Sequence, residues 1–180
     1  MKFILLFIII SIVSAGLIYQ SSYSIEWKTF STDKISIEYP SNWVVTQRGH
    51  ETTHPADLNI TNPNNYLNQF RVVYENDFWV NHEVQSSGVQ NALNGLGERF
   101  NVQGGIMSTI IGEHPSASVI ATYSGYWPGH GKYHIAFQMF IIDRNDKSSL
   151  LVYQDDFENF SSSGSQEIMN YMINSVRFLD

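Results

Sequence analysis

The chain has 180 residues, 43% of them hydrophobic and 14% aromatic, with 17 acidic against 10 basic side chains and a net charge of −7. That length suits one domain with a full core, and the acidic balance argues against a surface built to neutralise nucleic-acid phosphates, which needs clustered Lys and Arg. With no cysteine, the chain has no disulfide, thiolate nucleophile, iron–sulfur cluster, thiolate zinc site or lipid attachment through sulfur.

Met1-Lys2 is followed by an uncharged run, residues 3–19. One positive charge, an apolar stretch and Val13-Ser14-Ala15 in small-residue cleavage register match a secretory signal. The same run meets the short limit of the ~17–25 residues that cross a hydrocarbon core. Residues 1–24 therefore read as a signal peptide or a hydrophobic anchor helix with a short polar linker, and residues 25–180 as the folded domain. Both readings place the domain outside, tethered to the membrane or secreted.

Ile35, Ile37 and Tyr39 alternate with Ser36 and Glu38, the pattern of a strand with one buried face. We read this stretch as the edge of a sheet, with Glu38 outward. Pro40-Ser41-Asn42 supplies turn chemistry, and Trp43-Val44-Val45 restarts a strand. Residues 49–55 are polar and histidine-rich, hence loop. Strands follow at 58–61 and 70–74, separated by the turn cluster Asn62-Pro-Asn-Asn65.

From Ser86 the period changes. Val89, Leu93, Leu96 and Phe100 recur at four, three and four, which predicts an amphipathic helix capped by Ser86 or Ser87 and weakened by Gly95 and Gly97. Gly104-Gly105 ends that segment. Residues 106–111 and 118–123 read as a hairpin through Gly112-Glu-His-Pro115. The nearly continuous apolar run 133–142 suits a central strand covered on both faces. Residues 143–147 turn, and 150–153 pair back. Ser163 with Gln166 fits a capping box for a last helix whose stripe is Ile168, Met172, Ile173 and Val176. Phe178 then packs back onto the sheet. Hairpin-length connections predict an α+β fold: a central, mostly antiparallel sheet sandwiched between helices (α/β/α).

Three stretches together resemble the PsbP-like fold family: the opening Ile35-Ser-Ile-Glu-Tyr-Pro-Ser-Asn-Trp43, the middle Ile111-Gly-Glu-His-Pro-Ser-Ala117 leading to a strand with Tyr123, and the closing Asn174-Ser-Val-Arg-Phe178. The resemblance covers residues 25–180. It implies an antiparallel sheet between helices and a binding or assembly role in place of an activity.

The chain lacks Gly-x-Ser-x-Gly, His-Glu-x-x-His and a phosphate-cradling Gly-x-x-x-x-Gly-Lys; Gly95-Leu-Gly97 lies inside the helical stripe and is no dinucleotide loop. The reading is therefore non-enzymatic, without a cofactor. Two histidine pairs are the candidate metal ligands. His130 and His134 lie about 13 Å apart along a strand at ~3.3 Å per residue; His50 and His54 share a loop with Glu51 and Asp57. Both pairs read better as solvated histidines, and His114 as a hairpin residue. Asp143, Asn145 and Asp146 open like a calcium loop, but Ser148 replaces its glycine and Gln154 its bidentate glutamate, so a turn explains them better. Asp155, Asp156 and Glu158 read as a solvated acidic face. Asn59-Ile-Thr61 and Asn159-Phe-Ser161 are glycosylation tripeptides. Trp79 and Tyr126-Trp127 are the aromatic candidates for contact with a protein partner, Tyr126-Trp127 because Gly125, Pro128 and Gly129 suggest an exposed loop. The function expected is an exported or membrane-tethered domain that binds a protein partner or assists a surface complex; the alternative is an extracytoplasmic domain for a small ligand or metal.

Overall fold

The computed structural model describes residues 24–47, 57–73, 100–127, 131–144 and 147–179. Strand alternation first closes a small sheet. β1 (Trp27–Ser31) pairs antiparallel with β2 (Ile35–Pro40). Thr32 turns the chain between them, its Oγ1 accepting from the amides of Lys34 and Ile35, both at 3.2 Å. After Pro40 the Trp43 amide donates back to the Pro40 carbonyl at 2.9 Å, and Trp43 goes into the core. β2 is not the expected edge: β10 (Arg177–Phe178) pairs on its other side.

The large sheet is antiparallel throughout. β3 (Val44–Gln47), β4 (Asp57–Asn62), β5 (Asn65–Val73), β6 (Phe100–Ile111), β7 (His114–Trp127), β8 (Gly131–Arg144) and β9 (Lys147–Asp156) stand in the order β3-β4-β5-β9-β8-β7-β6. β8 lies between β9 and β7, with Phe140 and Ile142 buried on one face and Phe137, Met139 and Ile141 on the other. This is why its sequence is almost continuously apolar. The β6–β7 hairpin turns on Gly112 (φ +54°) and Glu113 (φ +74°). Two left-handed residues are what a tight hairpin matching the strand twist requires. A Cβ on Gly112 would also lie 3.1 Å from the Val176 carbonyl.

Two helices follow β9. α1 (Phe157–Phe160) is capped by Asp156, whose carboxylate accepts from the Glu158 amide at 3.0 Å. α2 (Ser163–Ser175) buries Met169, Met172 and Ile173. Its cap is Ser162 and not Ser163: the Ser162 Oγ accepts from the Ser165 amide at 3.2 Å, while the Gln166 side chain donates to the Phe160 carbonyl and forms no capping box. The main core joins Phe160 and the α2 stripe to Ile35 and Ile37 of β2 and to one face of the large sheet, through Leu58, Ile60, Phe70, Val72, Leu151 and Tyr153. Phe178 packs back as expected, with the Arg144 guanidinium 4.5 Å from its ring centre and His114 edge-on at 5.5 Å.

The helix sandwich is overturned. Both helices among the described residues contribute to the same core, on the same side of the large sheet, and long strands of 12, 14, 14 and 10 residues dominate. Phe100, read as the last position of a helical stripe, opens β6 and stacks on Tyr123 across the ladder at 5.0 Å. An aromatic cross-strand pair explains it better than helical spacing. Gly104-Gly105 lies within β6, at a bulge, and ends nothing. The expected N-terminal hydrophobic helix and the stripe Val89-Leu93-Leu96 lie outside the described residues, among which no helix is long and apolar enough to cross a membrane.

Candidate partner-binding surface

The end of the β7–β8 hairpin next to residues 128–130 is built from a register that sorts side chains to two faces. Gly125 pairs with Tyr133, Tyr126 with Lys132, and Ser124 with His134. On the face turned from the helices, Phe137, Phe100, Tyr123 and Tyr133 form an aromatic series, with ring centres 5.4, 5.0 and 5.7 Å apart in that order. Gly125 makes room for it. A Cβ there would lie 2.6 Å from the Tyr133 Oη and 2.8 Å from Tyr123 Cε1. Burial, and then the hydrogen bond with Tyr123, push the Tyr133 phenol above its ordinary pKa. This series borders a groove of about 320 Å³ whose walls include Leu67, Val152 and Arg71.

On the helix side, His134 stacks on Phe157 at 4.1 Å and 13°. Phe157 is 46% exposed and Tyr126 69%. Tyr126, Lys132 and His134 border a shallow depression of about 550 Å³. A paired strand holds Tyr126 with its backbone fixed, so an exposed aromatic is presented at little further conformational cost.

The predicted residues fall differently from expectation. Tyr126 is exposed as expected, but on a strand and not in a loop, and β7 runs on through Trp127. Trp79, His50, His54, Glu51, His130, Asn145 and Asp146 lie outside the described residues. His134 is a stacking residue, His114 packs on Phe178, and Asp143 sits in the ladder opposite Ser148. No group of three or more potential metal ligands occurs among the described residues. Asn159 is exposed on α1, whereas Asn59 sits mid-strand in β4 with a buried Oδ1 that has no partner among the described residues.

Of the expected solvated acidic face, Glu158 is exposed and Asp156 half-buried, but Asp155 is not solvated. Asp155 is 2% exposed. Its Oδ1 accepts from Asn65 at 3.0 Å and from the Asp156 amide at 2.8 Å; its Oδ2 accepts from Asn68 at 3.0 Å and from the Ser165 hydroxyl at 2.9 Å. The Tyr153 hydroxyl bonds Ser165 in turn at 2.8 Å. Burial outweighs these donors and raises the Asp155 pKa, and burial pushes the Tyr153 phenol up to about 12. The cluster ties β5, β9 and the first turn of α2 together with every carboxylate oxygen engaged. It reads as a structural joint, since a buried charge is tolerated when hydrogen-bonded. Its signal in the sequence was the period of two from Leu151 through Tyr153 to Asp155.

No protein-family model matches the chain, and no curated protein matches it in sequence. Solved structures do. The Ran-binding protein Mog1p of Saccharomyces cerevisiae superposes with a TM-score of 0.57 at 10% identity, over 87% of this chain and 97% of that one. The cyanobacterial PsbP protein of Synechocystis gives 0.55 at 7% identity, over 88% and 95%. A Bacteroides thetaiotaomicron protein gives 0.51 at 14% identity over 84% of this chain, which spans only 48% of that one. With 97% of Mog1p and 95% of the cyanobacterial PsbP protein covered at these TM-scores, the chain has the PsbP-like fold.

Proposed function

We propose that the chain is a non-enzymatic, exported or membrane-tethered domain that binds a protein partner through the end of the β7–β8 hairpin next to residues 128–130, anchored on Tyr126. The observation that carries this is the 69% exposure of Tyr126 on a paired strand beside Lys132. Rigid exposed aromatics flanked by a cation are the side chains that dominate protein–protein contacts. Trp127 and Trp79 enter the reading from the sequence alone, as does export, which rests on the composition of residues 1–24. The Ran-binding description of Mog1p supports a protein partner for a domain of this fold. The test is a photo-cross-linking amino acid placed at position 126 of the full chain in cells, against the same group at exposed Asn174 on α2. A discrete adduct at 126 and none at 174 is expected; no adduct, or the same adducts at both, overturns the reading.

The groove beside Tyr133 carries a second reading, a small apolar ligand. Its volume of about 320 Å³ lies at the lower end of the ~300–1,000 Å³ typical of ligand sites. Binding of a fluorescent acyl probe that is lost in Tyr133→Ala would favour it, and no binding to the full chain would retire it.

A further inference from the structure

The seven-stranded sheet ends on β6, which has β7 on one side and no strand on the other among the described residues. Natural sheets blunt such edges with charge, proline or short length. β6 uses none of these: its twelve residues, FNVQGGIMSTII, contain no charged side chain and no proline. Its one protecting device is the bulge, where the ladder with β7 shifts between Gln103 and Met107 and Gly104 takes φ +77°. Beyond the bulge the strand runs in unbroken register from Met107 to Ile111. There Ile110 is 73% exposed and Met107 48%.

We propose that this edge pairs antiparallel with the same edge of a second copy, about a two-fold axis at Ser108, extending one sheet through both molecules. An open edge offers backbone N–H and C=O groups that an extended strand satisfies, and a two-fold arrangement lets one strand serve as its own complement. With the axis at Ser108, Ile110 of each copy stands opposite Ile106, the last residue of the bulge, of the other on one face, and Met107 opposite Thr109 on the other face. The first is an apolar cross-strand pair formed twice. Charge favours a second copy over a charged peptide. Each chain carries −7 overall, yet the strand itself presents no charge, so two copies meet here without like charges opposed, and a charged strand would find no complement. One strand pair buries less than the ~1,200–2,000 Å² of a standard interface, so the dimer is weak and concentration-dependent.

The absence of cysteine gives a clean test. Ser108→Cys in the full chain, in isolated membranes or detergent, is oxidised with copper phenanthroline. Residues facing each other at such an axis have Cα atoms about 4.5–5.5 Å apart, within the ~4.4–6.8 Å that a disulfide spans. A disulfide-linked homodimer is expected from Ser108→Cys, none from exposed Thr46→Cys on β3 at the far edge of the sheet, and loss of the dimer when Ile110→Lys is added to Ser108→Cys. Equal cross-linking at 108 and 46, no cross-link at 108, or survival of the dimer with Lys at 110 overturns the proposal. So does an adduct whose mass is not twice that of the chain, which would assign the edge to a different polypeptide.

Discussion

Tyr133 lies across Gly125. The two are directly opposite in the β7–β8 ladder, and a Cβ on Gly125 would come within 2.6 Å of the Tyr133 hydroxyl. The glycine is present for the ring and not for the backbone, since an aromatic covering a strand glycine restores the packing that the glycine lacks. Gly125→Ala should therefore displace Tyr133 from Tyr123, at about 1 kcal/mol, the low end for overpacking. A double-mutant cycle with Tyr133→Ala checks this: in the Tyr133→Ala background the added methyl should cost less, since only its contact with Tyr123 Cε1 at 2.8 Å remains.

Tyr126→Ala removes an exposed ring from a strand that remains paired. Thermal stability should change by no more than about 0.5 kcal/mol, as for most surface substitutions, while recovery of the partner in pull-downs from solubilised membranes falls. A stability loss as large as that of a core substitution would show Tyr126 to be structural.

Asp155→Asn leaves the carboxyl's place in the joint but turns one acceptor into a donor facing Asn65 and the Asp156 amide, or Asn68 and Ser165. The expected cost is about 1–3 kcal/mol for each donor left without an acceptor. The pH dependence follows from the raised pKa. A carboxyl that binds its proton more tightly in the folded state adds stability below the ordinary carboxylate range, and that stability is lost as pH rises through the raised value. The unfolding midpoint of the native chain should fall across this window while that of Asp155→Asn lacks the fall, read by thermal melts at several pH values.

Tyr153 works in the same direction at alkaline pH. Its phenol, at about 12 in place of 10.0, contributes stability that is present below pH ~10 and lost as pH rises through about 12, on the order of 3 kcal/mol. Tyr153→Phe should lack that alkaline loss. At neutral pH it should give up about 1 kcal/mol for the hydrogen bond to Ser165. Denaturant titrations at neutral and alkaline pH separate the two effects.

Met172 is fully buried between α2 and the sheets. Met172→Ala should cost about 2–5 kcal/mol through lost transfer energy and the cavity left behind, seen as a lower denaturant midpoint with the same slope.

Where one physical signal dominates, the sequence could be read. β8 announces itself because both of its faces are buried, and β2 because Ile35 and Ile37 alternate with polar residues. β1 was missed because none of its five residues is fully buried, which leaves no apolar pattern to find. Phe100 was misread because spacings of four, three and four can arise without a helix, and its real partners, Tyr123 and Phe137, are distant in sequence. Gly125 suggested a loop because a glycine looks the same whether it bends the chain or makes room for a ring. Asp155 reads as solvated by its polarity, although Leu151 and Tyr153 at the same period face inward, and the four donors that make its burial tolerable come from three separate elements.

Glu38 shows how far apart the two halves of the small sheet begin. Its amide donates to Ser175 Oγ at 2.9 Å and its carboxylate accepts from the Tyr171 hydroxyl at 2.6 Å, across 137 and 133 residues of chain, while Tyr171 stacks on Trp27 at 3.8 Å. Contacts of such separation must be closed against a large loop entropy and tend to form late. β2 emerges early in synthesis, yet Ile35 and Ile37 gain their full cover only when α2 and β10 arrive at the other end of the chain. Until then a nascent molecule carries the apolar face of β2 paired with β1 but uncovered by α2, which makes the interval before residues 163–178 arrive the stage at which this protein most needs protection from aggregation.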